Sequence, residues 1–175
     1  LYPGSSGRPS KIAIVGAGAV GTAVAYACLM RGDARDIVLH DINEPKVEAE
    51  ALDMAHGIQF TPSGSVEGSD DVEIVRGADL VIVTAGAKQK PGQSRLELAG
   101  STVDLMRKIL PNLLNVAPEA RYMFITNPVD VVTYAALKIT GLPRNQVFGS
   151  GTVLDTSRLL YLVSLETGVA TQNIH

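Results

Sequence analysis

Gly16, Gly18 and Gly21 sit in the stretch KIAIVGAGAVGTAVAYACLMR with the spacing G-x-G-x-x-G. The residues before them, 11–15, are apolar after Lys11 and β-branched at alternate places, which reads as a short buried strand. The Ala-rich run after them reads as a helix to about Arg31. A glycine turn that leads from a strand straight into a helix narrows the fold more than any other feature here. Taken alone the spacing is weak, because Gly/Ala-rich turns occur in many sheets. The uncharged run from Ile12 to Met30 also admits a membrane helix, or a signal peptide with AVAYA as its cleavage site. Three glycines within six residues argue against both. So does the same strand-then-helix grammar downstream, which a single membrane helix leaves unexplained.

That grammar continues along the chain. DIVLHD (36–41) reads as a second strand, and 44–57 as an amphipathic helix with Pro45 at its start and Gly57 at its end. Residues 61–79 are polar and Gly/Ser-rich, with short strands expected around Val66 and at Glu73–Val75. DLVIVTAG (79–86) is a strand ending in a turn, and 87–95 a polar loop. A long helical region over 96–118 is expected to kink or split near Pro111. ARYMFIT (120–126) is a strand, followed by NPVD and a helix through Lys138. QVFGS (146–150) is a sixth strand, and 152–168 the last helix, stopped at Gly168. Nearly all-apolar strands alternating with helices predict an α/β fold with a doubly wound parallel sheet of about six strands, covered on both faces. Residues 1–9 read as a flexible tail and 10–175 as one domain.

Charge and cysteine usage exclude several functions. Fifteen Lys and Arg against 18 Asp and Glu leave a net charge of −3, so bulk charge draws the chain to neither nucleic acid nor anionic membrane. Cys28 is the single cysteine, which rules out an internal disulfide framework or a cysteine metal cluster and fits a reducing, cytosolic setting. No metal site is expected.

Asp41 ends the second strand 20 residues after Gly21, and with the strand, the turn and the helix it completes a Rossmann-type dinucleotide fingerprint. Gly16 makes the tight turn, Gly18 lets backbone approach a pyrophosphate, and Gly21 lets helix and strand pack closely. The bland alternative is a tight turn with an incidental Asp; four agreeing features outweigh it. A carboxylate at 41 suits a ribose diol. A 2′-phosphate there would meet like charge, at about 4 kcal/mol per charge pair at ~4 Å and an effective dielectric of about 20. No Arg follows in DINEPK to offset that, so NAD is favoured over NADP. Polar or small residues recur at later strand ends: Gly86 and Ala87, Thr126 and Asn127, Ser150. Open α/β sheets bind ligands there. Asp155 and Arg158 share a face of the last helix, either as a weak surface pair or as site residues.

With GAGAVG, the Asp41 strand end, TAGAKQKPGQSRLEL, ITNPVD and GSGTVLDTSR in order over 11–175, the chain resembles the NAD-dependent L-lactate and malate dehydrogenases, the bacterial L-lactate enzymes most closely. The resemblance implies cofactor contacts at Val20, Asp41, Lys46, Gly86, Ala87, Ile125, Thr126 and Asn127, with Lys108 and Ser150 at further contact positions. It implies that Arg95 closes over the substrate and polarises its carbonyl, and that Arg158 grips its carboxylate through two parallel hydrogen bonds. Asn127 would bond near the reacting carbon, with a cis bond to Pro128. Gln89 stands where malate dehydrogenases carry Arg, so a neutral residue faces the substrate's far end and suits pyruvate. Lys88 and Lys90 flank it; they read first as solvated loop lysines, with a dicarboxylate partner as the alternative.

By the same resemblance, Asp155 orients a proton-donating histidine that lies a few residues beyond NIH and outside this chain. His40, His56 and His175 match no such motif. Leu160 stands where allosteric relatives carry an Arg that joins a histidine, here His175, in holding fructose bisphosphate, so that response is not expected. The resemblance further implies pyruvate and L-lactate as substrates, a homo-oligomer and a cytoplasmic setting. The chain then reads as the cofactor domain of an L-lactate dehydrogenase without its substrate domain. Leu159, Leu160, Leu162 and Leu165 would be left partly uncovered and favour self-association. A malate dehydrogenase fragment and a stand-alone, non-catalytic nucleotide-binding module are the alternatives.

Overall fold

The computed structural model describes residues 10–62, 64–86, 92 and 94–175, with Arg95 and Leu96 as backbone only. Its strands are β1 (Lys11–Val15), β2 (Asp36–His40), β3 (Ser65–Ser69), β4 (Leu80–Val83), β5 (Arg121–Phe124) and β6 (Val147–Gly149). Side chains of a strand alternate between faces, and β1 shows why both faces of this sheet need cover. Ala13 and Val15 enter one apolar core with Val81, Val83, Tyr122 and Phe124. Ile12 and Ile14 enter the other with Ile37, Leu39 and Ile82. Four helices supply that cover, α1 (Ala19–Arg31), α2 (Glu44–His56), α3 (Arg95–Val116) and α4 (Val129–Thr140), and a fifth, α5 (Val153–Thr167), follows β6. Leu29, Val47 and Ala51 of α1 and α2 close the second core. Met106, Leu110, Leu113, Val132 and Ala136 of α3 and α4 close the first.

All six strands are parallel, in the order β3-β2-β1-β4-β5-β6. The doubly wound sheet expected from the sequence is therefore the one observed. Ile14 lies opposite Leu39 on one side and Ile82 on the other. The chain reverses its winding direction between β1 and β4, and a crevice opens at the carboxyl ends of strands on either side of such a switch point.

Local chemistry sets the element ends. Asn43 caps α2 by accepting from the Lys46 N–H at 3.3 Å. Ser94 and Glu97 form a reciprocal capping box at the start of α3. Gly32, Gly141 and Gly168 end α1, α4 and α5 in the left-handed region. Gly141 lets α4 run to Thr140, one turn-fraction past Lys138.

Two expectations are corrected. The segment Val72–Val75 is a single 3-10 turn and not a strand. The Asp71 carboxylate accepts from the Glu73 N–H at 2.9 Å, which caps a helical turn, and Val75 plugs the first core. The split expected near Pro111 is absent: α3 is continuous for 22 residues. A mid-helix proline costs about 3 kcal/mol. Burial of Met106, Leu110 and Leu113 around it recovers about 1.5–3 kcal/mol for each side chain. Among the described residues no helix is long and apolar enough to cross a membrane. The glycine-broken run that raised that reading holds only the 13-residue α1. In α5 no residue is buried; Leu159, Leu162 and Leu165 are exposed and Leu160 is half-buried.

Tyr122 supplies a test of this core. Its ring is fully buried and its hydroxyl donates to the Ala117 carbonyl at 2.8 Å. Burial pushes the phenol up to about 12. The unfolded chain, with its tyrosine near 10, ionises first, so the stability tied to this proton is intact below pH 10 and declines as pH rises toward about 12. Urea titrations of the parent and of Tyr122→Phe should diverge in slope only above pH 10, with about 1.4 kcal/mol of parent stability lost by pH 11. Parallel pH profiles for the two proteins would contradict this.

Candidate functional site

The glycine turn sits at the switch point, and its three glycines serve different ends. Gly16 has φ 107°, a left-handed conformation, and its N–H donates to the His40 carbonyl at 2.8 Å. A Cβ there would come within 2.7 Å of the Ala85 nitrogen. A Cβ on Gly21 would run into the Gly16 carbonyl oxygen. Both are glycines because protein backbone fills the space. Gly18 is different: no protein atom lies within 4 Å of where its Cβ would be. It is the N-cap of α1, which has no side-chain cap and no acidic residue in its first turn. The N–H groups that open α1 thus face an open cradle with no side-chain cap, which suits an anionic ligand.

Asp41 follows β2 directly. Its Oδ2 accepts from the Ala17 N–H at 2.8 Å and its Oδ1 from the Asn43 N–H at 3.0 Å. The carboxylate is braced against the turn, and each oxygen keeps a lone pair for a further donor.

A cleft of about 670 Å³ opens beside the turn. It gathers Val20, Gly86, Ile125, Thr126, Asn127, Ser150, Asp155 and Arg158, eight residues singled out in the sequence. The bond between Asn127 and Pro128 is cis. Thr126 is buried and donates to the Ala85 carbonyl at 2.7 Å, so its hydroxyl ties β5 to β4. Gly86 is small because a Cβ there would lie 2.5 Å from Thr126 Cγ2. Arg158 Nη1 donates to Asp155 Oδ1 at 3.2 Å, one bond between side chains that are 65% and 72% exposed. Such a pair is weak and free to re-form around a ligand.

Other residues fall elsewhere. Lys46 and Lys108 are exposed, on α2 and α3, and are not among the residues lining the cleft. Leu160 lies on α5, and His175 is exposed beyond the last 3-10 turn, Thr171–Asn173. Ala87 and Gln89, with Lys88 and Lys90, lie outside the described residues, and Arg95 is described only as the first residue of α3.

The sequence reading passed over Thr84, Leu98 and Leu154, which also line the cleft. It also missed a second cleft, of about 380 Å³, with Val15, His40, Ile42, Val72, Ile109 and Leu113 in its walls. Ile42, next to Asp41, is 91% exposed. The sequence carried only the position of Ile42 next to Asp41, because its exposure depends on the fold.

Known proteins agree with this geometry. The profile of the lactate/malate dehydrogenase NAD-binding domain matches residues 10–149. The chain belongs to the lactate/malate dehydrogenase family. An L-lactate dehydrogenase of Bifidobacterium animalis subsp. lactis is 58% identical over 168 residues, 96% of this chain and 52% of the relative. One from Thermoanaerobacterium saccharolyticum is 45% identical, over 95% of this chain and 53% of the relative. Among solved structures, a minor L-lactate dehydrogenase of Enterococcus mundtii superposes with a TM-score of 0.89 at 38% identity, covering 95% of this chain and 53% of that one. A lactate dehydrogenase from a Medee basin deep-sea metagenome library gives 0.88 at 37%, covering 96% and 54%. This dehydrogenase-family chain spans about half the length of the curated relatives it matches, and the matched part is the family's NAD-binding domain.

The exposure of Asp155 and Arg158 makes a clear prediction for this family member. Asp155→Asn and Arg158→Gln should each leave the urea midpoint within about 0.5 kcal/mol of the parent, because an exposed single-bonded pair contributes little. A loss of several kcal/mol in either variant would make the pair a structural element.

Proposed function

We propose that this chain forms the NAD(H)-binding half of an L-lactate dehydrogenase, an enzyme that reduces pyruvate to L-lactate. The carrying observation is that one cleft holds both Val20, from the turn that opens α1, and the Asp155–Arg158 pair of α5. A nucleotide on the turn and a carboxylate on Arg158 would then share one space. The donor set fits the dinucleotide: uncapped α1 N–H groups for the pyrophosphate, Asp41 for the ribose diol, and the apolar walls of the second cleft for the adenine ring. Val20, Gly86, Ile125, Asn127 and Ser150 line the end where the nicotinamide would lie, with Ala87, Lys46 and Lys108 at further contact positions. Bound NADH supplies the hydride.

The chain's own groups supply placement. Arg158 would exchange its single bond to Asp155 for two parallel bonds to the substrate carboxylate. Asn127 would hydrogen-bond near the reacting carbon, Arg95 would polarise the carbonyl, and Asp155, released from Arg158, would orient a proton-donating histidine. Among the described residues no histidine lines this cleft. Pyruvate is favoured over oxaloacetate by the neutral Gln89 and by relatives named as L-lactate dehydrogenases. Leu160 argues against a response to fructose bisphosphate. A homo-oligomer in a cytoplasmic setting completes the proposal.

Two measurements test it. Calorimetric titration should show NADH binding at least about tenfold more tightly than NADPH, a small part of the like-charge penalty at Asp41. Equal affinities would remove the ground for assigning NAD. In a second assay, the 175-residue chain at high pyruvate should oxidise NADH at least about 10²-fold below the usual dehydrogenase range of about 10–10³ per second, because no histidine among the described residues lines the cleft to act as general acid. A rate inside that range would mean another group delivers the proton.

A further inference from the structure

We propose that Thr84, at the carboxyl end of β4, is a positioning residue for the phosphate-binding turn, and that it acts by fixing the Gly16–Ala17 peptide. The inference rests on the nucleotide reading above. The Thr84 Oγ1 lies 2.9 Å from the Gly16 carbonyl oxygen and 3.3 Å from that of Val15. A threonine hydroxyl has one proton to donate, and the nearer carbonyl takes it. The Gly16 carbonyl and the Ala17 N–H belong to one planar peptide and point in opposite directions. The Ala17 N–H is held from the other side by Asp41 Oδ2, at 2.8 Å. Two side chains from two different strands thus grip the first peptide of the turn at both ends.

The grip also explains the glycines around it. A Cβ on Gly16 would sit 2.9 Å from Thr84 Oγ1 and one on Gly21 2.8 Å from it. The hydroxyl therefore occupies the gap that both glycines keep clear. The backbone of Thr84 adds to the hold, since its N–H donates to the Val15 carbonyl at 2.9 Å. With the peptide plane fixed, the N–H groups that follow it into α1 are aimed before a ligand arrives. Without the hydroxyl, the plane is held by Asp41 alone, and the same carboxylate must also serve the ribose.

The test compares Thr84→Val, which keeps the shape and removes the proton, with Thr84→Ser, which keeps the proton. Three ligands are titrated: NADH and ADP-ribose, which carry a pyrophosphate, and adenosine, which carries none. Thr84→Val should bind NADH and ADP-ribose about tenfold more weakly, bind adenosine as the parent does, and be rescued by Ser. If Thr84→Val fails to fold, Thr84→Ala gives the same readout without a methyl against the Gly16 carbonyl. Unchanged pyrophosphate binding in the folded variant overturns the inference. An equal loss for all three ligands, not rescued by Ser, makes Thr84 merely structural and overturns it too. A parent chain that binds none of the three overturns the nucleotide reading and this inference together.

Discussion

Burial of β1 on both faces is the constraint from which the rest follows. Ala13 and Ile14 are fully buried although they point to opposite sides. A strand in that position has no solvent face, so its backbone groups must pair with strands on both edges and its side chains must meet helices above and below. β2 and β4 supply the edges, in parallel. Parallel neighbours need crossovers long enough to carry helices. Once the winding goes one way from β1 to β2 and the other way from β1 to β4, the strand ends around the glycine turn are left uncovered together. The site is placed by that topology before any of its side chains is considered.

Much of the fold was legible because the signals are local. Runs such as IAIV and LVIV have no polar face, Gly57 and Gly168 stop helices, and Pro45 starts one. The misreadings come where a cap or the burial of neighbouring side chains outweighs a residue's own preference. Val72–Val75 has strand-like composition, yet Asp71 caps it as a turn. Pro111 reads as a break, yet the buried side chains on either side hold α3 together. The site shows the same division. The shared face of Asp155 and Arg158 follows from a spacing of three, while their meeting with Val20 in one cleft depends on tertiary structure. Thr84 looked like an ordinary strand-end residue because its partner, Gly16, is 68 positions away.

The two halves of the site differ in rigidity. The glycine-turn half is backbone held by three side chains: the hydroxyl of buried Thr126 on Ala85, that of half-buried Thr84 on Gly16, and the Asp41 carboxylate on Ala17. The other half rests on one exposed ion pair. A pre-shaped turn thus stands beside an arginine held by a single exposed bond.

Gly18 sets folding and binding against each other. Its backbone, at φ −81° and ψ −178°, is open to any residue, and no protein atom stands in the way of a side chain. It is also the N-cap of α1, where Ser, Asp or Asn are the strongest caps and exceed Gly by a few tenths of a kcal/mol. Selection for stability alone would therefore carry position 18 away from glycine toward a residue whose side chain closes the cradle. A glycine there is stability left unused, and a screen that scores only folded protein would accept the substitutions that block the site.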